Sequence, residues 1–366
     1  MKRSPLYYCI LAAMLFVLFL ANDFGFVNIQ RTAIITAVGI DAEEEGVKVT
    51  AFTDVPIDTK SVNTVTVQGK GKTVAEAFAD INAQTGWYPK LVFCDIILLG
   101  EDMQERDVFA ALDFFLRLEY ARDSSLVAIA QGRAEDILSK KSPLDSVASE
   151  VLTGVLSAEA KRAGRVVPVN LKDFAIGYFS DGKSGYMPYV TVSEKEGNAF
   201  FSAGETVLFY GGRAFGRLTE QETLCFSLVK NKIRSATISA EADGEEYSLS
   251  YQNGKGAVKV DIRDNIPYVT LCVDGKVRIR DTNQSTNLLR LTSSLIVEES
   301  VCRAVEKEIA DTLTSIYATA SAANCDLFGV REQLRRNHNR YYEAFADEIL
   351  SRAVLQTDIR LSGEKA

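Results

Sequence analysis

Val297, Val301, Val305, Ile309, Leu313, Ile316 and Ala320 recur every three or four positions along Leu295–Arg336. That spacing predicts a long helix with one apolar face. Glu298, Glu299, Arg303, Glu306, Lys307 and Asp311 fall on the other side, where Glu299 with Arg303 and Lys307 with Asp311 stand one turn apart. The pattern breaks at Asn324-Cys325-Asp326-Leu327-Phe328-Gly329. A stripe of this length must lie across something wide. Strand-like runs between about Phe200 and Ile279 supply it, so the C-terminal half is predicted to be a helix laid over an antiparallel sheet.

Nearer the start, Arg31–Asp41 (RTAIITAVGID), Gly46–Val55 and Val62–Gln68 predict an antiparallel meander. Thr73 and Glu76 have the spacing of a capping box and open a helix with Val74, Ala77, Phe78 and Ile81 on one face. The nearly unbroken apolar run Leu91–Leu99 reads as a central strand covered on both sides. A helix over Asp107–Glu119, a strand at Leu126–Ala130, a helical turn at Ala134–Ser139 and a helix from the Ser142-Pro143 cap, with Asp145, to about Lys161 follow. Gly132 and Gly164 read as boundaries. Turn formers over 177–199 mark a domain boundary.

Beyond that boundary, Ala203–Tyr210 and Arg213–Leu218 are predicted to pair through Gly211-Gly212. A second capping box, Thr219 with Glu222, starts a helix to Asn231. Four strands are expected at Ser235–Ala240, Glu246–Tyr251, Ala257–Ile262 and Ile266–Ile279, turning at Asp243-Gly244, Asn253-Gly254 and Asp264-Asn265. A helix over Tyr341–Ser351 and a strand over Val354–Leu361 complete the chain. The predicted class is α+β, with mixed and antiparallel sheets and packed helices in two to three domains. Residues 1–27 form a membrane segment, 28–196 a mixed α/β region and 197–366 a C-terminal domain.

The membrane segment rests on Lys2 and Arg3 before Leu6–Ala21, which carries no charge and includes Leu6, Leu11, Leu15, Phe16, Leu18 and Leu20. As a helix it spans about 24 Å, short of a bilayer core of about 30 Å unless Phe24–Val27 is added. The basic end should stay inside, leaving the bulk of the chain on the extracytoplasmic side. A cleaved signal peptide is the rival reading, although cutting after Ala21 would put Phe19 where a small residue is wanted.

Composition narrows the class. The 366 residues are 47% hydrophobic and 25% charged, as in folded proteins, and the net charge of −8 disfavours nucleic acid. Only Arg331, Arg335, Arg336 and Arg340 cluster, and they read as a solvated helix face. Of six cysteines, Cys9 lies in the first apolar run. The five others, Cys94, Cys225, Cys272, Cys302 and Cys325, have no metal-type spacing and read as small buried hydrophobes.

Gly69-Lys70-Gly71-Lys72-Thr73 suggests a phosphate loop, but Thr66 stands where that motif needs glycine. His338, the only histidine, sits in a polar junction and reads as solvated; no G-x-S-x-G elbow exists. Carboxylate pairs for glycoside hydrolysis could be Glu119 with Asp123 or Asp95 with Glu101. No catalytic residue, metal or cofactor is assigned. Asp326, Leu327, Phe328 and Gly329 are the first candidates for a functional contact: Asp326 could cap the next helix, Leu327 and Phe328 could plug the gap, and Gly329 permits a backbone approach. The single tryptophan, Trp87, in a loop beside Tyr88 and Pro89, is a second candidate contact.

In order and spacing, RTAIITAVGID, GKTVAEAF, LLGEDM with the LDFFLR helix, the segment ending MPYV, the AGETVLFYGGRAFGRLT hairpin and CDLFG resemble the Ger(x)C family. These are the C subunits of nutrient germinant receptors in the inner membrane of bacterial spores. The resemblance implies a non-catalytic protein of about three packed domains, needed for receptor assembly and the nutrient response. Its partners would be two integral-membrane subunits, A-type and B-type, with the germinant bound mainly by a partner. It departs from the family in having no lipid-modifiable cysteine after Ala21, and Cys94-Asp95 where relatives often carry histidine. The alternative class is a membrane-anchored extracytoplasmic hydrolase acting on spore or cell wall.

Overall fold

The computed structural model describes residues 5–21, 32–56, 62–140, 142, 148–157, 166–242, 244–282 and 297–363. The apolar segment forms helix α1 (Pro5–Ala21). Among the described residues, no helix is long and apolar enough to cross a membrane. The predicted meander is present as β1 (Thr32–Glu43), β2 (Gly46–Pro56) and β3 (Val62–Gly71), each antiparallel to the next. Helix α2 (Val74–Thr85) follows with Thr73 as its cap and buries Val74, Ala77, Phe78 and Ile81, the predicted face. The Glu76 carboxylate accepts from the Lys72 N–H, one residue beyond the expected donor.

The Leu91–Leu99 run is a correction. A short strand, β4 (Tyr88–Lys90), pairs with the start of β1, and only Ile96–Leu99 forms the central strand β5. Residues 91–95 form a turn that leaves Val92 and Phe93 exposed. After β5 come α3 (Val108–Arg117), β6 (Leu126–Ala130), α4 (Ala134–Leu138) and α5 (Ala148–Leu156). The Pro143 and Asp145 cap and Gly164 lie outside the described residues. The turn-rich 177–199 stretch is helix α6 (Leu171–Phe179) running into two long paired strands, β7 (Ser184–Lys195) and β8 (Asn198–Tyr210). The predicted Gly211-Gly212 turn then leads to β9 (Arg213–Leu218).

All nine strands belong to one sheet, ordered β3-β2-β1-β5-β6-β7-β8-β9, with β4 alongside β1. Strands β1, β5, β6 and β7 are mutually parallel, and both wings are antiparallel. Parallel strands need helical crossovers, which cover both faces. Accordingly Ile97 and Leu99 point into the core under α2, α3 and α6, while Ile96 and Leu98 pack with Ile137, Leu138 and Leu152 of α4 and α5. Strand pairing therefore continues across residue 196, because β8 and β9 extend the first sheet and do not lie under the long helix.

Helix α7 (Glu220–Val229), opened by the predicted capping box, leads to the second sheet. Its order is β10 (Ala236–Ala242), β11 (Glu245–Arg263), β12 (Ile266–Thr282) and β13 (Val354–Gly363). The two strands expected on either side of Asn253-Gly254 are one strand, β11, with a bulge where the register shifts between Gln252 and Lys255. Two neighbours of this bulge enclose Tyr251, which is fully buried and donates to the Asp274 carbonyl at 2.8 Å. A Cβ on Gly275 would lie 2.0 Å from the edge of the Tyr251 ring. Replacing Gly275 by alanine should cost about 1–3 kcal/mol through overpacking, measured as a lower urea midpoint with unchanged slope.

The long helix is α8 (Glu299–Ala322), and all seven residues of its predicted stripe are buried. It lies over β10 and β13. Strand β13 runs parallel to β12, so the second sheet is mixed. The helix predicted over Tyr341–Ser351 is split into α10 (Tyr342–Phe345) and α11 (Ile349–Arg352), after α9 (Val330–Asn337). One hydrophobic core runs unbroken from one face of the large sheet into the small one.

Candidate partner-contact site

Helix α8 ends because Asn324 takes a left-handed conformation, with its N–H bonded to the Ser321 carbonyl. The next four residues turn inward. Phe328 packs edge-on against Phe226 of α7 and lies 5.9 Å from the ring of Tyr317 of α8. The Cys325 thiol reaches the Phe209 carbonyl of β8 at 3.6 Å. Burial pushes that thiol up to about 12, too high to supply a nucleophilic thiolate near neutrality.

Asp326 organises the turn. Its carboxylate accepts the N–H groups of Val330 (2.6 Å) and Arg331 (2.8 Å), and its carbonyl accepts the Ser184 hydroxyl of β7 (2.9 Å). Helix α9 has Gly329 at its cap position, without a side chain, so Asp326 supplies the missing acceptor. Burial pushes the Asp326 carboxyl above the ordinary range, against the opposing pull of the two N–H groups, Arg331 and Lys230. Gly329 itself meets nothing in its would-be side-chain direction; it is required for φ 76°, not for a close approach. The close approach belongs to Gly182, whose Cβ would lie 2.5 Å from that of Asp326.

The turn thus joins the large sheet, α7, α8 and α9. Beside it opens a cleft of about 670 Å3, between the α6–β7 turn and α9. Its charges are largely paired: Lys232 with Asp173, and Arg335 and Arg336 with Glu332. Lys230 reaches into it with a single bond to the Leu327 carbonyl, 3.4 Å long, and burial lowers its ammonium pKa.

Several expectations change here. Asp326, Leu327 and Phe328 are buried within the chain, so a partner would meet the cleft rim around them and not their side chains. Arg331 is not solvated: it is buried and donates to the Ala346 carbonyl (2.8 Å) and the Asn324 side chain (2.6 Å). Arg335, Arg336 and Arg340 are exposed as predicted. His338 is half-buried, its Nε2 3.0 Å from the Val260 carbonyl of β11. Trp87 is half-buried at the end of α2; its carbonyl accepts from the Asn82 side chain. On α1, Leu11, Leu15 and Phe16 are exposed; the side chains of Leu6, Leu18 and Leu20 lie outside the described residues.

Two clusters, one buried and one at the surface, escaped the sequence reading. Asp41, at the end of β1, accepts the Ala134 (2.6 Å) and Glu135 (3.2 Å) N–H groups and so caps α4 as Asp326 caps α9. An acidic residue closing an apolar strand was the available signal. Glu101 accepts the Tyr189 hydroxyl (2.7 Å), and the Arg217 guanidinium lies 3.6 Å above the Tyr189 ring.

Of the suggested carboxylate pairs, one is far apart and the other lies exposed at the surface. Asp95 and Glu101 flank β5 at opposite ends, about 20 Å apart at strand rise, and Asp95 is ion-paired with Arg122. Glu119 and Asp123 are both exposed, with Asp123 facing Lys172. Among the described residues, no group of three or more His, Cys, Asp or Glu is placed to hold a metal ion. Cys94, Cys225, Cys272, Cys302 and Cys325 are free and buried.

Comparison with known proteins adds the following. Residues 25–192 match the family model described as the spore germination protein N-terminal domain, and residues 204–361 match that described as spore germination B3/GerAC like, C-terminal. Spore germination protein B3 of Bacillus subtilis (strain 168) is 26% identical over 311 residues, covering 81% of this chain and 79% of that protein. The crystal structure of the GerBC protein superposes with a TM-score of 0.56 at 19% identity, over 89% of this chain and 96% of that one, which is a likeness of fold.

Proposed function

Since the chain belongs to the Ger(x)C family of spore germination proteins, we propose that it is a non-catalytic subunit of a membrane-bound germinant receptor, needed for receptor assembly and the response to nutrients. The observation that carries this reading is the match of both family models, in order, over nearly the whole chain. The buried thiols and the separation of Asp95 from Glu101 support a binding role over the hydrolase alternative.

In this reading α1 (Pro5–Ala21) holds the chain to the spore inner membrane as an anchor or as the apolar part of a signal segment. The body stands on the extracytoplasmic side. Its partners are two integral-membrane subunits, A-type and B-type, and the nutrient is bound mainly by one of them. The rim of the cleft beside Asp326 and Gly329 is the surface offered for contact with those subunits.

Spores lacking the gene should form normally yet fail to germinate with the nutrient that its receptor serves. A normal response to every nutrient tested, or wall-hydrolysing activity in the purified chain, would overturn the reading.

A further inference from the structure

Strands β1, β5 and β6 are parallel and begin at the same edge of the large sheet. Apolar side chains stand open along that edge. Phe93 is 56% exposed, Val92 45% and Tyr120 66%, and Ile34 and Tyr88 join them. They form one patch: Ile34 is in register with Lys90, Tyr88 with Thr32, and the Lys90 ammonium lies 5.6 Å from the centre of the Tyr120 ring. The two loops are tied together, since the Ser125 hydroxyl donates to the Cys94 carbonyl (2.6 Å) and Arg122 pairs with Asp95. Contiguous exposed apolar surface of this kind marks an interaction site.

We propose that this edge faces the lipid bilayer and that Val92, Phe93, Tyr88 and Tyr120 sit in its interfacial layer. The proposal rests on the reading of α1 as a membrane segment. Ten residues, 22–31, separate α1 from β1, a tether reaching at most about 35 Å. The edge that receives this tether therefore stays within about 35 Å of the membrane end of α1. Its composition suits that position: tyrosine and tryptophan prefer the boundary between hydrocarbon and headgroups, and a lysine beside them can keep its charge in water. Charge does not point to an acidic or basic partner. Arg122 pairs with Asp95 and Lys172 with Asp123, and the remaining Lys90 and Glu119 carry opposite charges. Nor does α1 occupy the patch, because Leu11, Leu15 and Phe16 are themselves exposed.

Trp87 adjoins Tyr88 and is the only tryptophan, so native fluorescence reports on this edge alone. The test is the full-length chain reconstituted into neutral phosphatidylcholine vesicles, with lipids brominated high on the acyl chain as quenchers. The expected result is quenching of Trp87 that persists at high salt. It should be lost in the double variant Val92→Asp/Phe93→Asp, which still floats with the vesicles and keeps the wild-type urea midpoint. Wild type that floats but shows no quenching overturns the proposal and leaves the anchor standing. So does equal quenching in the double variant, or quenching that arises only when polytopic subunits are added, which assigns the patch to a protein. Wild type that fails to float overturns the anchor and the proposal together.

Discussion

Replacing Asp326 by alanine is expected to lower the unfolding free energy by about 2–4 kcal/mol. Two buried N–H groups, those of Val330 and Arg331, lose their only side-chain acceptor, and each orphaned donor costs about 1–3 kcal/mol. Asparagine keeps one acceptor and should cost roughly half as much. Comparison with the Asp326→Asn variant also isolates the carboxyl's titration. Because burial holds the folded pKa above its unfolded value, the native state binds the proton more tightly. The stabilisation is then complete below the unfolded pKa and is lost as pH rises through the folded one. Wild type should gain on Asp326→Asn as the pH is lowered from 7 through that raised value. Urea titrations of both proteins at several pH values would measure it, and a constant gap between them would refute a raised Asp326 pKa.

Truncating Phe328 to alanine is expected to cost more, about 3–5 kcal/mol, from lost transfer energy and the cavity left between α7 and α8. Phe328→Leu, which refills much of the volume, should recover the larger part. The two changes adjoin in the same turn, so the double variant should lose less than the sum of the singles. Calorimetry would show this as a smaller fall in melting temperature than addition predicts.

Local signals explain which parts of the fold could be read in advance. The caps at Thr73 and Thr219 need only residues three positions apart, and the stripe of α8 needs only helical periodicity. Both survive whatever packs around them. Asn253-Gly254 carries the same local signal as a hairpin turn, yet β12 runs straight past it and makes it a bulge. Arg331 and Arg335 are indistinguishable in sequence; Ala346 and Asn324, brought in by other elements, decide that one is buried. Likewise nothing in Leu91–Leu99 says that β1 offers pairing to Ile96–Leu99 alone, and that Val92 and Phe93 are turned outward. For the candidate site, the capping role of Asp326 was legible and its acceptance of the Ser184 hydroxyl was not, because Ser184 lies 142 positions away.

The parallel pairing of β13 with β12 imposes an order on biosynthesis. Strands β10 to β12 can zip together as they leave the ribosome, but α8 would emerge with only β10 and α7 to cover its stripe, since β13, its larger support, arrives only after residue 354. During that interval a nascent chain carries a half-covered apolar ridge several turns long, the kind of surface that chaperones retain. Premature termination between residues 323 and 354 should therefore yield aggregates and not a shortened soluble product.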